Sequence, residues 1–174
     1  MPDSAGGCFV TGGTMGNLSA LVTARHDADR RCRDAGSGRP QRWAVVAAES
    51  AHSSIDSAAG VMGVDVLLAA VDAGERLRGD AVAAAIAARP TGTEVFAVVA
   101  TAGTTNLGIV DDIDGIADAC AESGVWLHVD GAYGGAAMAA PSVRHRFDGI
   151  HRVDSLVVDP HKWLFSPFDC AALV

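Results

Sequence analysis

Lys162 is the only lysine in a chain with 13 Lys and Arg residues, so every other basic side chain is an arginine. A guanidinium stays protonated and forms imines poorly, whereas an amine can lose its proton and attack a carbonyl. A lone lysine against an arginine background therefore points to Schiff-base chemistry, with biased composition as the alternative. It lies in Asp159-Pro160-His161-Lys162-Trp163, just after an apolar run at 155–158. Three further groups could work with an amine. Asp130 follows the apolar run 125–129, where a carboxylate is costly unless something cationic meets it; a turn or helix-capping role is the alternative. His52 lies just beyond the run 43–48, a place where histidines more often cap or face solvent. Gly12, Gly13 and Thr14 form a turn that could aim backbone N–H groups at an anion. An ordinary strand-to-helix loop has the same composition, and neither the Walker A ending nor G-x-G-x-x-G is present.

The elements that must position these groups alternate along the chain. Short or continuous apolar runs at 8–10, 43–48, 64–69, 95–101, 125–129 and 155–158 read as strands, and the run leading to Val174 has strand character. Helical spacing begins at Gly16 and ends near Gly36. Further helices are expected at 53–62, over 76–89 (with Asp80 as a possible start), at 111–123 with acids at its N-terminus, and in the polar stretch 141–152. This alternation predicts an α/β fold, a mostly parallel sheet flanked by helices. Parallel strands buried on both faces read as unbroken apolar runs, as 95–101 does. Ligands of such sheets bind outside the carboxyl ends of the strands. The turn at 12–14, His52, Thr105, Asp130 and Lys162 all fall at such ends.

Composition bounds the function. The 174 residues suit one domain, 49% of them are hydrophobic, and 20% are charged. A net charge of −8 without a basic run argues against nucleic acid. No apolar run reaches membrane-spanning length, and the N-terminus lacks a signal-peptide pattern, so a cytoplasmic location is expected. Cys8, Cys32, Cys120 and Cys170 are scattered and read as reduced, mostly buried thiols. The 6 histidines show no metal-ligand spacing. Neither a Gly-x-Ser-x-Gly elbow nor a nucleophilic-cysteine motif is present.

An anion-binding turn, a carboxylate, an imidazole and one imine-forming lysine together match the needs of pyridoxal phosphate. Its phosphate needs N–H donors and its aldehyde an amine. Its ring nitrogen needs a carboxylate to keep it protonated, and its ring face a planar side chain. Gly131 and Ala132 would leave room beside Asp130.

Five stretches also resemble the group II pyridoxal-phosphate decarboxylases, the aromatic-amino-acid and glutamate decarboxylase superfamily. They are GGCFVTGGTMGNLSAL (6–21), ESAHSSIDSAAGVMGV (49–64), ATAGTTNLGIVDDI (100–113), WLHVDGAYGGAA (126–137) and VDSLVVDPHKWLFSPFDC (153–170). The likeness runs nearly end to end, and HVDGAYGG followed by DPHKW is its most specific combination. It implies the large domain of a fold type I pyridoxal-phosphate enzyme, incomplete at both ends, lacking an upstream segment and a C-terminal small domain. It implies Lys162 as the cofactor lysine, Asp130 on the pyridine nitrogen, His52 stacked on the ring and Ala132 near the other face. Gly13, Thr14 and His161 would contribute to the phosphate site, with Asp159 at its edge and Thr105 nearby. Met15 departs from a frequent Glu and Asp159 from an Asn; an anion beside a phosphate is unfavourable unless it faces away or accepts a hydrogen bond.

The resemblance implies decarboxylation of an L-amino acid by a homodimer. The alternatives are another reaction on the same fold, such as transamination or carbon–carbon lysis, or a truncated non-catalytic remnant with exposed apolar surface.

Overall fold

The inner apolar runs become strands because their side chains are buried on both faces of one sheet, which shorter, more exposed runs border at its edges. In the computed structural model, which describes residues 5–174, the strands are β1 (Cys8–Val10), β2 (Arg42–Ala48), β3 (Asp65–Ala69), β4 (Thr93–Thr101), β5 (Trp126–Asp130), β6 (Ser155–Val158) and β7 (Ala171–Leu173). They form a 7-stranded sheet in the order β1-β7-β6-β5-β4-β2-β3. The pairings among β3, β2, β4, β5 and β6 are parallel. Strand β7 runs antiparallel between β6 and β1. The chain steps one way from β2 to β3 and the other way from β4 through β5 to β6. That reversal opens a crevice at the carboxyl ends between β2 and β4.

Helices α1 (Gly13–Asp34) and α2 (Ser54–Met62) cover one face, and α3 (Gly79–Ala87) and α4 (Ile113–Ser123) the other. Alternation along each strand divides the core accordingly. Leu127 and Val129 of β5 pack with Ile113, Ile116 and Cys120 of α4. Trp126 packs on the opposite face with Leu21, Ala24 and Ala28 of α1. One irregularity shifts this phase. Ala44 pairs with Val95 but Val45 with Ala97, so β4 carries Phe96 as an extra residue, a bulge. Phe96 and Ala97 consequently both face the α1 side, where Phe96 meets Trp43 edge-on. Among the described residues no helix is long and apolar enough to cross a membrane.

Several local expectations change. Helix α1 begins at Gly13 rather than Gly16, which puts Gly13 and Thr14 in its first turn. Helix α3 occupies Gly79–Ala87, close to the later start. Helix α4 starts after Asp112, whose side chain accepts the Gly115 N–H as its N-cap. The stretch 141–152 does not form one helix. It breaks into 3-10 turns at Arg144–Phe147 and Ile150–Arg152, separated by Gly149 at φ 88°, where a Cβ would lie 2.5 Å from the Asp114 Cα. The thiols also differ from expectation: only Cys120 is buried, Cys8 is exposed, and Cys32 and Cys170 are intermediate. The short edge strand β1 leaves Cys8 uncovered, whereas Cys32 of α1 packs partly against the core on that face.

Helices α3 and α4 approach closely where Gly79 meets Gly115. A Cβ on Gly79 would sit 2.1 Å from the Gly115 carbonyl oxygen, which belongs to helix backbone and has little room to yield. Gly60 of α2 meets nothing within 4 Å. Gly79→Ala should therefore destabilise by about 2–3 kcal/mol through overpacking. Gly60→Ala should stabilise by about 0.5–1 kcal/mol through helix propensity. Denaturant midpoints of the two variants should move in opposite directions.

Candidate active site

The carboxyl ends of β2, β4, β5 and β6 and the first turn of α1 enclose one cavity of about 640 Å³. Gly13, Thr14, His52, Thr105, Asp130, Ala132, Asp159, His161 and Lys162 all line it. Residues up to 149 positions apart in sequence are thus gathered by the common direction of the parallel strands (Lys162 and Gly13).

Asp130 is the last residue of β5 and is 6% exposed. Its Oδ1 accepts the Ala132 N–H at 3.0 Å, an Asx turn that fixes the carboxylate against the chain that follows. Its Oδ2 accepts from Asn17 Nδ2 at 2.8 Å. Both donors are neutral, and among the described residues no Lys or Arg pairs with this carboxylate. A buried anion with only neutral partners, facing a cavity, is a site prepared for a cation. A protonated pyridine nitrogen has the required charge and donor.

Lys162 lies on a single helical turn, α5 (Pro160–Trp163), whose first residue is a proline with its ring preset for a helix start. The turn points Nζ back across the cavity to Asp159 Oδ2, 3.0 Å away. The side chain remains 37% exposed and accessible to a carbonyl. His161 is held by backbone: its Nδ1 lies 2.7 Å from the oxygen and 3.1 Å from the nitrogen of Cys170. Its Nε2 faces Asp159 Oδ2 at 3.7 Å.

Asp159, at 2% exposure, is more central than an edge residue. Its Oδ2 accepts the Gly13 N–H at 3.2 Å, and its Oδ1 is buried without a partner. Helix α1 has no side-chain cap of its own; Gly12 at φ 109° starts it. The carboxylate therefore meets the positive helix end from within the cavity. A Cβ on Gly13 would lie 2.7 Å from that of Ala132, so only glycine lets helix, strand end and Asp159 converge there.

His52 caps α2 and lines the cavity at once. Its Nδ1 accepts the Ser54 N–H at 3.1 Å and lies 2.9 Å from Ser54 Oγ. Thr105 sits at the exposed tip of the loop after β4. That loop is closed by backbone bonds from Gly103 and Thr104 to the Ile109 carbonyl.

Sequence reasoning passed over four residues that build this site. Asn17, Ser54 and His128 are buried and hydrogen-bonded to one another or to Asp130. The available signal was the alternation His128-Val129-Asp130, which sets the imidazole and the carboxylate on the same face of β5. The fourth is Asp111. Its Oδ1 accepts the Leu77 N–H at 2.8 Å and its Oδ2 the Thr101 N–H at 2.7 Å, clamping the end of β4 to the chain before α3.

The 174 residues match the pyridoxal-dependent decarboxylase conserved domain from residue 1 to 174. The chain belongs to that family. It is 39% identical to an aromatic-L-amino-acid decarboxylase of Bacillus atrophaeus over 99% of its own length and 35% of the relative's. It is 35% identical to the cysteine sulfinic acid decarboxylase of Mus musculus over 99% of this chain and 36% of that one. The crystal structure of mouse CSAD superposes with a TM-score of 0.89, covering 98% of this chain and 37% of that chain at 35% identity. That of Oryza sativa TDC with PLP gives 0.88 at 36% identity, covering 97% and 37%. The chain thus spans about a third of the length of these relatives, and its sheet is that of the fold type I pyridoxal-phosphate enzymes. Pyridoxal phosphate is the family's cofactor, and the charge and donors of the cavity fit it, with Asp159 the one group opposed to a phosphate.

Asp111 gives this region a pH signature. Burial pushes its carboxyl up to about 6 from 3.8, against the two backbone N–H groups that favour the anion. The folded state thus holds this proton more tightly than the unfolded chain. The associated stability is fully present below pH 3.8 and lost as pH rises through about 6, roughly 3 kcal/mol in all. Asp111→Asn removes that slope. Unfolding free energies at pH 4 and pH 7 should show wild type losing roughly 2 kcal/mol relative to the variant, other titrations cancelling in the difference. This is less than the full amount because the unfolded carboxyl is already partly ionised at pH 4.

Proposed function

We propose that these residues form the cofactor domain of a longer enzyme that removes the α-carboxylate of an L-amino acid as CO2 and leaves the amine. The observation that carries the reading is Asp130, a buried carboxylate without a cationic partner among the described residues, on the cavity that also holds the only lysine. When bound, pyridoxal phosphate supplies an electron sink for the pair left behind when CO2 departs.

The chain's own residues have separable tasks in this reading. Lys162 Nζ would hold the cofactor through its aldehyde group. Asp130 keeps a proton on the ring nitrogen, and its rigid placement by Asn17 and the Ala132 N–H means no reorganisation is needed when charge moves. His52 presents its imidazole to a ring face, and Ala132 leaves room beside the other. Gly13, Thr14 and His161 supply donors for the phosphate, and Thr105 approaches from the loop after β4. Deep placement of Asp130 and Ala132 excludes water from the ring-nitrogen end, while Lys162 at the other end stays reachable.

The reading extends to a homodimer in the cytoplasm. Trp163, Leu164, Phe165 and Phe168 are exposed beside Lys162, an apolar rim suited to a second subunit. The four cysteines are free, which suits a reducing compartment.

Two experiments test it on the full-length protein. Borohydride reduction of the holoenzyme followed by peptide mapping should place the adduct on Lys162, and carboxyl-labelled amino acids should release labelled CO2. An adduct elsewhere, or keto-acid formation in place of CO2, overturns the reading. Asp159→Asn keeps an oxygen for the Gly13 N–H but removes a charge from the phosphate cup. It should tighten pyridoxal phosphate by about five- to tenfold, measured by absorbance titration of the stripped enzyme; unchanged or weaker binding would show that the carboxylate does not oppose the phosphate.

A further inference from the structure

A line of hydrogen bonds crosses the face of the sheet beneath α1 and reaches the cavity at two points. Trp126 Nε1 donates to Ser155 Oγ at 2.9 Å. Ser155 Oγ lies 2.8 Å from His128 Nδ1, and His128 Nε2 lies 2.9 Å from Asn17 Oδ1. Asn17 Nδ2 reaches both Asp130 Oδ2 and Ser54 Oγ at 2.8 Å. Ser54 Oγ lies 2.9 Å from His52 Nδ1.

With Asp130 a carboxylate and the His128 ring neutral, one assignment of protons satisfies every group. An indole N–H can only donate, so Ser155 accepts from Trp126. With the Asn17 N–H2 turned to Asp130 and Ser54, its carbonyl must accept from His128 Nε2. A neutral ring then takes the Ser155 hydroxyl proton at Nδ1, and the Ser54 hydroxyl is left for His52. Turning the amide over would set its carbonyl against the Asp130 carboxylate and its N–H2 against an imidazole N–H. His128 is completely buried, and burial drives its pKa down although Asp130 and a backbone hydrogen bond with Ser155 oppose the shift, so the ring is neutral as this arrangement requires.

We propose that His128 and Asn17 are positioning residues: His128 fixes the orientation of the Asn17 amide, and that single amide sets both the Asp130 carboxylate under the cofactor nitrogen and, through Ser54, the His52 ring. The proposal rests on the cofactor reading given above. Neither His128 nor Trp126 lines the cavity, so each acts through Asn17. The arrangement links two groups that would meet the same ring from its edge and its face. It does so with neutral donors, which hold the Asp130 charge in place without cancelling it.

The test compares His128→Leu with His128→Gln in the full-length holoenzyme. Gln can still donate to Asn17 and accept from Ser155; Leu can do neither. His128→Leu should weaken pyridoxal phosphate at least tenfold in absorbance titration and displace the visible band of the bound cofactor. His128→Gln should stay within about threefold of wild type with an unshifted band. In protein stripped of cofactor, nitrogen NMR should show the wild-type His128 proton on Nε2. Thermal melts identify a variant that fails to fold, in which case the Asn17→Leu and Asn17→Gln pair and the NMR assignment decide. A proton on Nδ1, equal impairment by Leu and Gln, or a folded His128→Leu with wild-type affinity and band overturns the proposal. Failure of the underlying reading looks different: wild type itself would bind no cofactor at Lys162, and both fall together.

Discussion

The cost of burying the Asp130 carboxylate governs how this region is built. A charge at the end of an apolar strand loses its hydration, and the chain restores only part of it with the Ala132 N–H and the Asn17 amide. A direct Arg or Lys partner would stabilise the apo fold better, but it would fill the place a cationic ligand needs. Neutral donors hold the geometry and leave the charge uncompensated. Asn17, which touches this carboxylate, and His128 and Ser155 behind it must then be immobile, which explains why all three are buried on packed elements and not on loops. Removing one member of such a network strands the others, so its residues behave as a unit.

The opposite end of the cavity obeys a different constraint. Helix α1 arrives with uncapped N–H groups, and its approach depends on two glycines lacking side chains. A Cβ on Gly16 would lie 2.4 Å from Val157 Cγ2, and one on Gly13 would strike Ala132. Close packing therefore presses the helix end onto β6 and the end of β5 together. Asp159 answers the helix dipole from inside and pairs with Lys162, so the carboxylate and the amine restrain each other.

Much of this was legible from residue order. Unbroken apolar runs gave the parallel strands, and the alternation with helices gave the layers, because burial on both faces leaves so plain a mark. All nine candidate residues share the cavity because strand ends are marked by where an apolar run stops at a polar or small residue. What stayed hidden depended on contacts between distant segments. The Phe96 bulge shifts the facing of β4 with no turn residue to signal it. Asn17 reads as one polar residue in an amphipathic helix until α1 is laid against β5. Asp111 reads as a helix-start acid, whereas its carboxylate reaches backwards to Leu77 and Thr101. The stretch 141–152 has helical composition, but Gly149 must pass within contact of Asp114, which a continuous helix would prevent.

The sheet order adds a constraint on how the site comes together. Strand β1, which launches the Gly12–Gly13 turn, does not pair with any of the parallel strands. It is held by β7, through Val10 against Ala171 and Phe9 against Ala172, and β7 in turn pairs with β6. The donors at the start of the chain are therefore anchored by residues near its other end, with the lysine segment between β6 and β7. Contacts of such long sequence separation form late and cooperatively, since loop closure must precede them. The carboxylate end of the cavity rests on the inner strands β4, β5 and β6. The anion end rests on the edge made by β6, β7 and β1. Local opening of that edge would release the phosphate cup and Lys162 together while leaving Asp130, Asn17 and His128 in the packed interior, so the two ends of the site draw on parts of the fold with unequal stability.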